Sequence, residues 1–485
     1  MPCDIARQGT ASMWTELKHL VLGPPLHAEH SEHGRLNKVR ALAAFSPDAL
    51  SSIGYANQEI YLGLVVAGAV GLSFALPIAL VIIGLLMLLA LSYYQIIQGY
   101  PSGGGSYAVA RSTLGTVPGL IAAAALITNY LLCVAVSLTT GVDAIASAFH
   151  ELWPYRVYLS LLLLVAITLL NLRGLHETGT VMAIPVYLFL FAYLGMLAYG
   201  VFRLSVDGPV SLATVTTRAT QSVTLFLLLH TFSTGCTAMT GIEAISNGVP
   251  SFKPPETKNA GRTMIVMALL MGVLFLGSIG LTQVLGIVAG PEETILSALA
   301  RHLLGSGPAY LLIQASTMVI LALGANTSFA GLPRLMSVMA DDGFLPKQLT
   351  KLSSRLVHAN GILILALSAG VLIVVFSGSS HALIPLFAVG VFLAYTLSQT
   401  GMLSHWWRER GKGWKAKAAL NGTGALATGI TFVIVGANKF FEGAWVAILL
   451  IPILVILFLR VHARHSLSDR GSSLHDLTLS ELEPS

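Results

Sequence analysis

Two long apolar stretches, Ala41 to Val70 and Gln221 to Pro250, are each interrupted midway by small, polar and acidic residues. The first carries SPDALSSIGY and the second STGCTAMTGIEAISNG. Apolar segments of this length read as membrane spans. In lipid, a polar or unwound centre survives only where it faces protein or a water-filled cavity. A pair of broken spans at matching places therefore points to a solute site near the bilayer midplane.

The rest of the chain fits that reading. Of 485 residues, 55% are hydrophobic and 10% charged, with a mean hydropathy of +0.77, which leaves too little charge to cover several soluble domains. The expected fold is an all-α integral membrane protein with twelve transmembrane helices. They lie near 41–69, 73–99, 118–149, 156–173, 180–203, 222–249, 261–290, 308–333, 359–377, 384–403, 418–437 and 443–461. A polar tail, 1–40, precedes the 41–463 core, and a short acidic tail, 464–485, follows with no soluble domain. The amino-terminal side of the membrane receives 22 of the 27 basic residues, leaving Arg156, Arg203, Arg218, Arg301 and Lys439 opposite. Both termini are thus expected in the cytoplasm of a multi-pass plasma-membrane protein. The net charge of +5 is a topology signal and gives no support for a nucleic-acid partner.

Cys3, Cys133 and Cys236 do not suggest a disulfide framework. The first apolar run begins after about forty mostly polar residues, too late for a secretory signal. In the tail, His27, His30 and His33 are spaced for one helical face; without a partnering Cys they read as solvated residues, and no metal or cofactor is expected. His150 in HELWP and His176 in HETGT lack the second histidine of a zinc hydrolase. Neither a GxSxG elbow nor a GxxxxGK[ST] phosphate loop is present, so the chain does not read as an enzyme.

Four acids fall within the apolar spans: Asp48, Glu59, Asp143 and Glu243. An acid near the bilayer centre costs ~2.5–3.5 kcal/mol on insertion scales, so each needs a partner or a purpose. Glu59 and Asp143 lie toward the outer ends of their spans and are expected to reach the interface. Asp48 lies in a Pro47-to-Gly54 run that weakens helix at the midplane, with Tyr55 seven residues on. Thr237, Thr240 and Glu243 are expected on one helical face, and Asn129, Cys133 and Ser137 form a stripe in the third span beside Tyr130. Tyr395 and Ser398 complete the set from the tenth span. Oxygen ligands around one or two carboxylates suit a dehydrated alkali cation, with Asp48 and Glu243 as proton-coupling candidates. Two loops, Tyr100 to Gly115 and Asn326 to Pro346 with Arg334, Asp341 and Asp342, read equally as gates or connectors.

FSPDALSSIGY, YPSGGGSYAVAR, AMTGIEAISNGVPSFK and PRLMSVMADDGFLP together resemble the amino acid, polyamine and organocation transporter superfamily, and within it the KimA-type potassium importers. The resemblance covers about residues 38–463. It implies a LeuT-like five-plus-five inverted repeat with discontinuous first and sixth helices, two extra helices, and proton-coupled potassium uptake. It marks Asp48, Tyr55, Tyr130, Ser137, Thr240, Glu243 and Tyr395 as binding residues. The chain departs from the pattern at Asn129, where the family carries an acid, and at Cys133, where it carries a threonine. The expected partners are a small solute or monovalent cation, protons and membrane lipid, with a homodimer left open. An amino acid or polyamine permease of the same fold is the alternative, and a passive channel the remote one.

Overall fold

The computed structural model describes residues 35–103, 105–174, 179–208, 219–290, 292–352 and 358–480. His27, His30, His33, Cys3, His176 and Arg218 lie outside the described residues. Among those described, the fold is helical throughout, with one isolated bridge between Leu36 and Phe252.

In chain order the α-helices are α1 (Lys38–Phe45), α2 (Pro47–Val65), α3 (Gly68–Leu72), α4 (Ala75–Gly99), α5 (Gly105–Leu114) and α6 (Thr116–Ala148). Next come α7 (Arg156–Leu172), α8 (Gly179–Asp207), α9 (Leu225–Gly235), α10 (Glu243–Asn247), α11 (Glu256–Val284) and α12 (Ile295–Leu304). The last five are α13 (Pro308–Asp341), α14 (Ala359–Val375), α15 (Ser380–Glu409), α16 (Trp414–Asn438) and α17 (Ala444–Ser480). Among the described residues, ten segments are long and apolar enough to cross a membrane. Two expected spans fall outside that set for physical reasons. Helix α2 carries Asp48, Asn57, Gln58 and Glu59, and α14 has only 17 residues.

Helix α6 is the axis of the bundle. Its apolar stretch is 89% buried, against 22% for His150–Leu172, so α6 meets protein on every side while its neighbour faces lipid. Small residues make this depth tolerable: Ala122 to Ala125 are all buried, letting other helices approach closely. Helices α2, α13 and α15 pack on α6, and α9 packs on α2.

The first interruption is a proline kink, a correction to the expected unwinding through SSIG. Pro47 opens α2, where its missing N–H is no loss, and the chain is helical from there to Val65. Ser51 and Ser52 fold back onto the carbonyls of Asp48 and Ala49, at 3.0 and 2.7 Å, and the helix continues through them. The second interruption is a genuine break. A 3₁₀ turn over Cys236–Met239 is followed by extended Thr240 and by Gly241 at φ +78°. A Cβ on Gly241 would stand 2.9 Å from the Asp48 carboxyl carbon, so only glycine lets the broken strand of α9–α10 touch the start of α2.

Candidate functional site

Asp48 sits in the first turn of α2, where the positive end of the helix favours a carboxylate. Its Oδ1 lies 3.1 Å from the Cys133 thiol on α6, and Cys133 is 3.9 Å from Ser137 one turn on. Across the break, the Tyr55 hydroxyl and Thr240 Oγ1 are 2.8 Å apart. Ser52 also donates to the Ala238 carbonyl at 2.9 Å, tying α2 to the unwound segment.

Glu243 opens α10 on the far side of that segment. Its Oε1 accepts from the Asn129 amide at 3.2 Å and its Oε2 from the Tyr395 hydroxyl at 2.7 Å. Tyr395 also reaches the Met239 carbonyl at 2.9 Å. Asp48 and Glu243 are 4% and 2% exposed, and no basic side chain pairs with either among the described residues. A buried charge left in that state costs several kcal/mol, so the pair demands a proton or a cation. Asn129 Oδ1 is buried without a hydrogen-bond partner, an acceptor still open beside Glu243.

The nine anticipated residues come from α2, α6, α10, α15 and, for Thr240, the extended link before α10. Asn129, Cys133 and Ser137 share one face of unbroken α6 as the spacing predicts. Tyr130, one position off that stripe, turns instead to Asn247, whose amide donates to its hydroxyl at 3.3 Å. The single face expected for Thr237, Thr240 and Glu243 does not form, because the 3₁₀ turn, the extended Thr240 and the left-handed Gly241 break the helix across them. Thr237 bonds the Thr234 carbonyl at 2.6 Å, away from the other two. Asn247 and the Met239 carbonyl were not anticipated: an asparagine beside a helix end and a bare carbonyl leave no mark in a hydropathy pattern. Ser398 is buried on α15, as its place in the tenth span suggests.

The two loops meet each other. The Tyr107 hydroxyl on α5 donates to Asp342 Oδ2 at 2.6 Å, and Arg111 pairs with the same carboxylate at the end of α13. Hydrogen bonding to Asp342 raises the Arg111 guanidinium above its ordinary range, and burial followed by Asp342 raises the Tyr107 phenol. Gly103, at φ +79°, packs on the Asn247 carbonyl, so the glycine loop also touches the C-terminal end of α10.

Glu59 and Asp143 are covered by protein and not left exposed at the ends of their helices. They are 2% and 7% exposed and hold the first two residues of α15. Ser380 donates to Asp143 at 2.8 Å, and His381 Nδ1 sits 2.8 and 2.9 Å from the two Glu59 oxygens. The N-terminus of α15 attracts both carboxylates inward.

Residues 37–459 match the model of the amino acid permease family. The chain belongs to that family. It is 42% identical over 452 residues to the potassium transporter KimA of Bacillus subtilis, covering 93% of this chain and 74% of that protein. It is 25% identical over 268 residues to the low-affinity putrescine importer PlaP of Escherichia coli, covering 53% of this chain and 57% of that one. A solved manganese transporter of Eremococcus coleocola aligns with a TM-score of 0.46 at 14% identity, over 89% of this chain and 95% of that chain. This permease-family chain is thus a multi-pass membrane transporter, and its relatives are transporters rather than enzymes.

Proposed function

We propose that the chain is a secondary transporter that takes up a small cation, potassium first, together with protons. One observation carries this: Asp48 and Glu243 are buried at the two helix interruptions with no basic partner, beside the open acceptor Asn129 Oδ1. The 42% identity to a potassium transporter supports it. The site residues are Asp48, Tyr55, Asn129, Tyr130, Cys133, Ser137, Thr240, Glu243 and Tyr395, with Asp48 and Glu243 carrying the coupled proton.

The architecture behind this reading has twelve crossings, the ten long segments plus α1–α2 and α14, in a LeuT-like inverted repeat of five and five with α16 and α17 added. Residues 41–463 form one transporter core between cytoplasmic tails, in the plasma membrane and in contact with its lipid; a homodimer is compatible with it. An organic amine is the second reading, favoured by the likeness to a putrescine importer. An amino acid fits less well, because Asp48 occupies the positive helix end that would receive its carboxylate.

In a cell lacking its own potassium uptake, expression should restore growth on low potassium, and Asp48→Asn or Glu243→Gln should abolish it. Failure of growth together with accumulation of labelled putrescine or amino acid would overturn the potassium assignment. Proteoliposome uptake indifferent to an imposed pH gradient would overturn the proton coupling.

A further inference from the structure

Directly outward from the site lies a second group of ionisable side chains that the transport reading leaves unused. Asp48, Tyr55 and Glu59 fall at i, i+7 and i+11 of the uninterrupted α2, so they line one face, with Glu59 about 16 Å beyond Asp48 at 1.5 Å per residue. Across from them, α15 carries Phe387, whose ring meets Tyr55 edge-on at 6.3 Å, and His381 one layer further out. The outer contact between these two site-bearing helices therefore has two layers, an aromatic pair below and the Glu59–His381 pair above.

The upper layer is asymmetric. The Glu59 side chain is 1% exposed and that of His381 56%, so a buried carboxylate depends on a ring that trades protons with the outer solution. Among the described residues, His381 supplies both hydrogen bonds to Glu59. The remaining charges around the pair are accounted for. Asp143 of α6 is engaged by Ser380. Lys439, after α16, is 1% exposed and lies 2.7 Å from Glu442 and 2.5 Å from His230 Nε2 of α9. Burial pulls the Lys439 ammonium below the ordinary lysine range, against the opposing pull of Glu442. Lys439 and Glu442 also act electrostatically on His381, as His381 does on His230. Lys439 also feels Glu59 electrostatically, but it lies on Glu442, and the cation in hydrogen-bond contact with Glu59 is His381.

We propose that Glu59 and His381 form the outward-facing proton site of the transporter: a proton taken up by His381 pairs it with Glu59 and closes the outer mouth between α2 and α15. When His381 is neutral, Glu59 is a buried carboxylate that keeps only the longer-range pull of Lys439, which Glu442 already neutralises, and hydrating it requires the two helices to part. Closure thus binds a proton, so acid outside favours the closed form and alkali the open one. The idea rests on the alternating-access reading above, but its test needs no transported substrate.

The readout is Cys133, which faces Asp48 inside the site. In intact cells bearing the full chain with Cys3→Ala and Cys236→Ala, Cys133 is the remaining thiol. A membrane-impermeant cationic methanethiosulfonate is added outside at about pH 6 and about pH 8.5, either side of the ordinary histidine range. Thiol chemistry alone raises labelling with pH, so each variant is compared by its ratio of rates. The parent ratio should exceed that of His381→Gln by about tenfold, the equivalent of one pKa unit of linkage. His381→Lys, charged up to about pH 10, should stay protected at both values. Equal ratios in the parent and His381→Gln, a parent Cys133 protected at both pH values, or a lysine variant that labels like the glutamine one would each overturn the proposal. A parent profile as expected without potassium uptake would fail only the substrate assignment. Normal uptake with an unaltered His381→Gln ratio would fail only the proton site.

Discussion

At the scale of single residues, the site depends on one conformation that a side chain resists. Gly241 holds φ +78° against the backbone of Ala49. Gly241→Ala adds about 1–2 kcal/mol for the left-handed conformation, besides the close approach to Asp48. The expected outcome is a lower unfolding midpoint in detergent, and an unchanged midpoint would show that the α9–α10 break can relax. Asn129 is the other decisive residue. It gives its amide to Glu243 and keeps its oxygen open, so Asn129→Asp keeps the coordinating oxygen while adding a charge. Unit charges about 4 Å apart interact by about 4 kcal/mol at an effective dielectric of 20. After the repulsion from Glu243 is set against this, alkali-cation affinity should rise by about tenfold or more, read by thermal shift across a potassium titration. No gain in affinity would mean that position 129 does not face the ion.

At the scale of elements, α16 and α17 are not the plain additions that their apolar sequences suggest. The turn between them delivers Lys439 to His230 of α9, so this hairpin grips the broken helix. Glu442 is what makes that buried ammonium tolerable. Because burial lowers the folded-state value of Lys439, the unfolded chain binds more protons just below its own value of about 10.4. Stability from this group therefore rises as pH climbs from the folded value toward that one, is lost as pH falls back through the folded value, and is level below it. Glu442→Gln should lower the unfolding midpoint at neutral pH, and the deficit should shrink as pH approaches about 10. A deficit constant across that range would place the effect elsewhere than on Lys439. At the opposite face, Asp342 gathers Tyr107 and Arg111, which joins two loops more than two hundred residues apart in the chain.

At the scale of the whole molecule, the reading stands or falls on the uptake experiment with Asp48→Asn and Glu243→Gln. Those two acids were legible because lipid penalises them. A carboxylate in an apolar span is conspicuous in sequence, and the broken spans, the stripe of Asn129, Cys133 and Ser137, and the helical class follow from the same penalty. Less legible was how each acid is satisfied. Pattern alone sent Glu59 and Asp143 to the interface, whereas the structure folds them under the N-terminus of α15. It also placed Thr237 beside Glu243, which the break from Cys236 to Gly241 prevents. The sequence by itself determined that this chain crosses the membrane, where it is interrupted and which charges lie within it, because solvation by lipid acts on each segment separately. Only the tertiary structure decided which helix answers each charge, since partners such as Glu59 and His381 are 322 residues apart and meet through packing that no local pattern encodes.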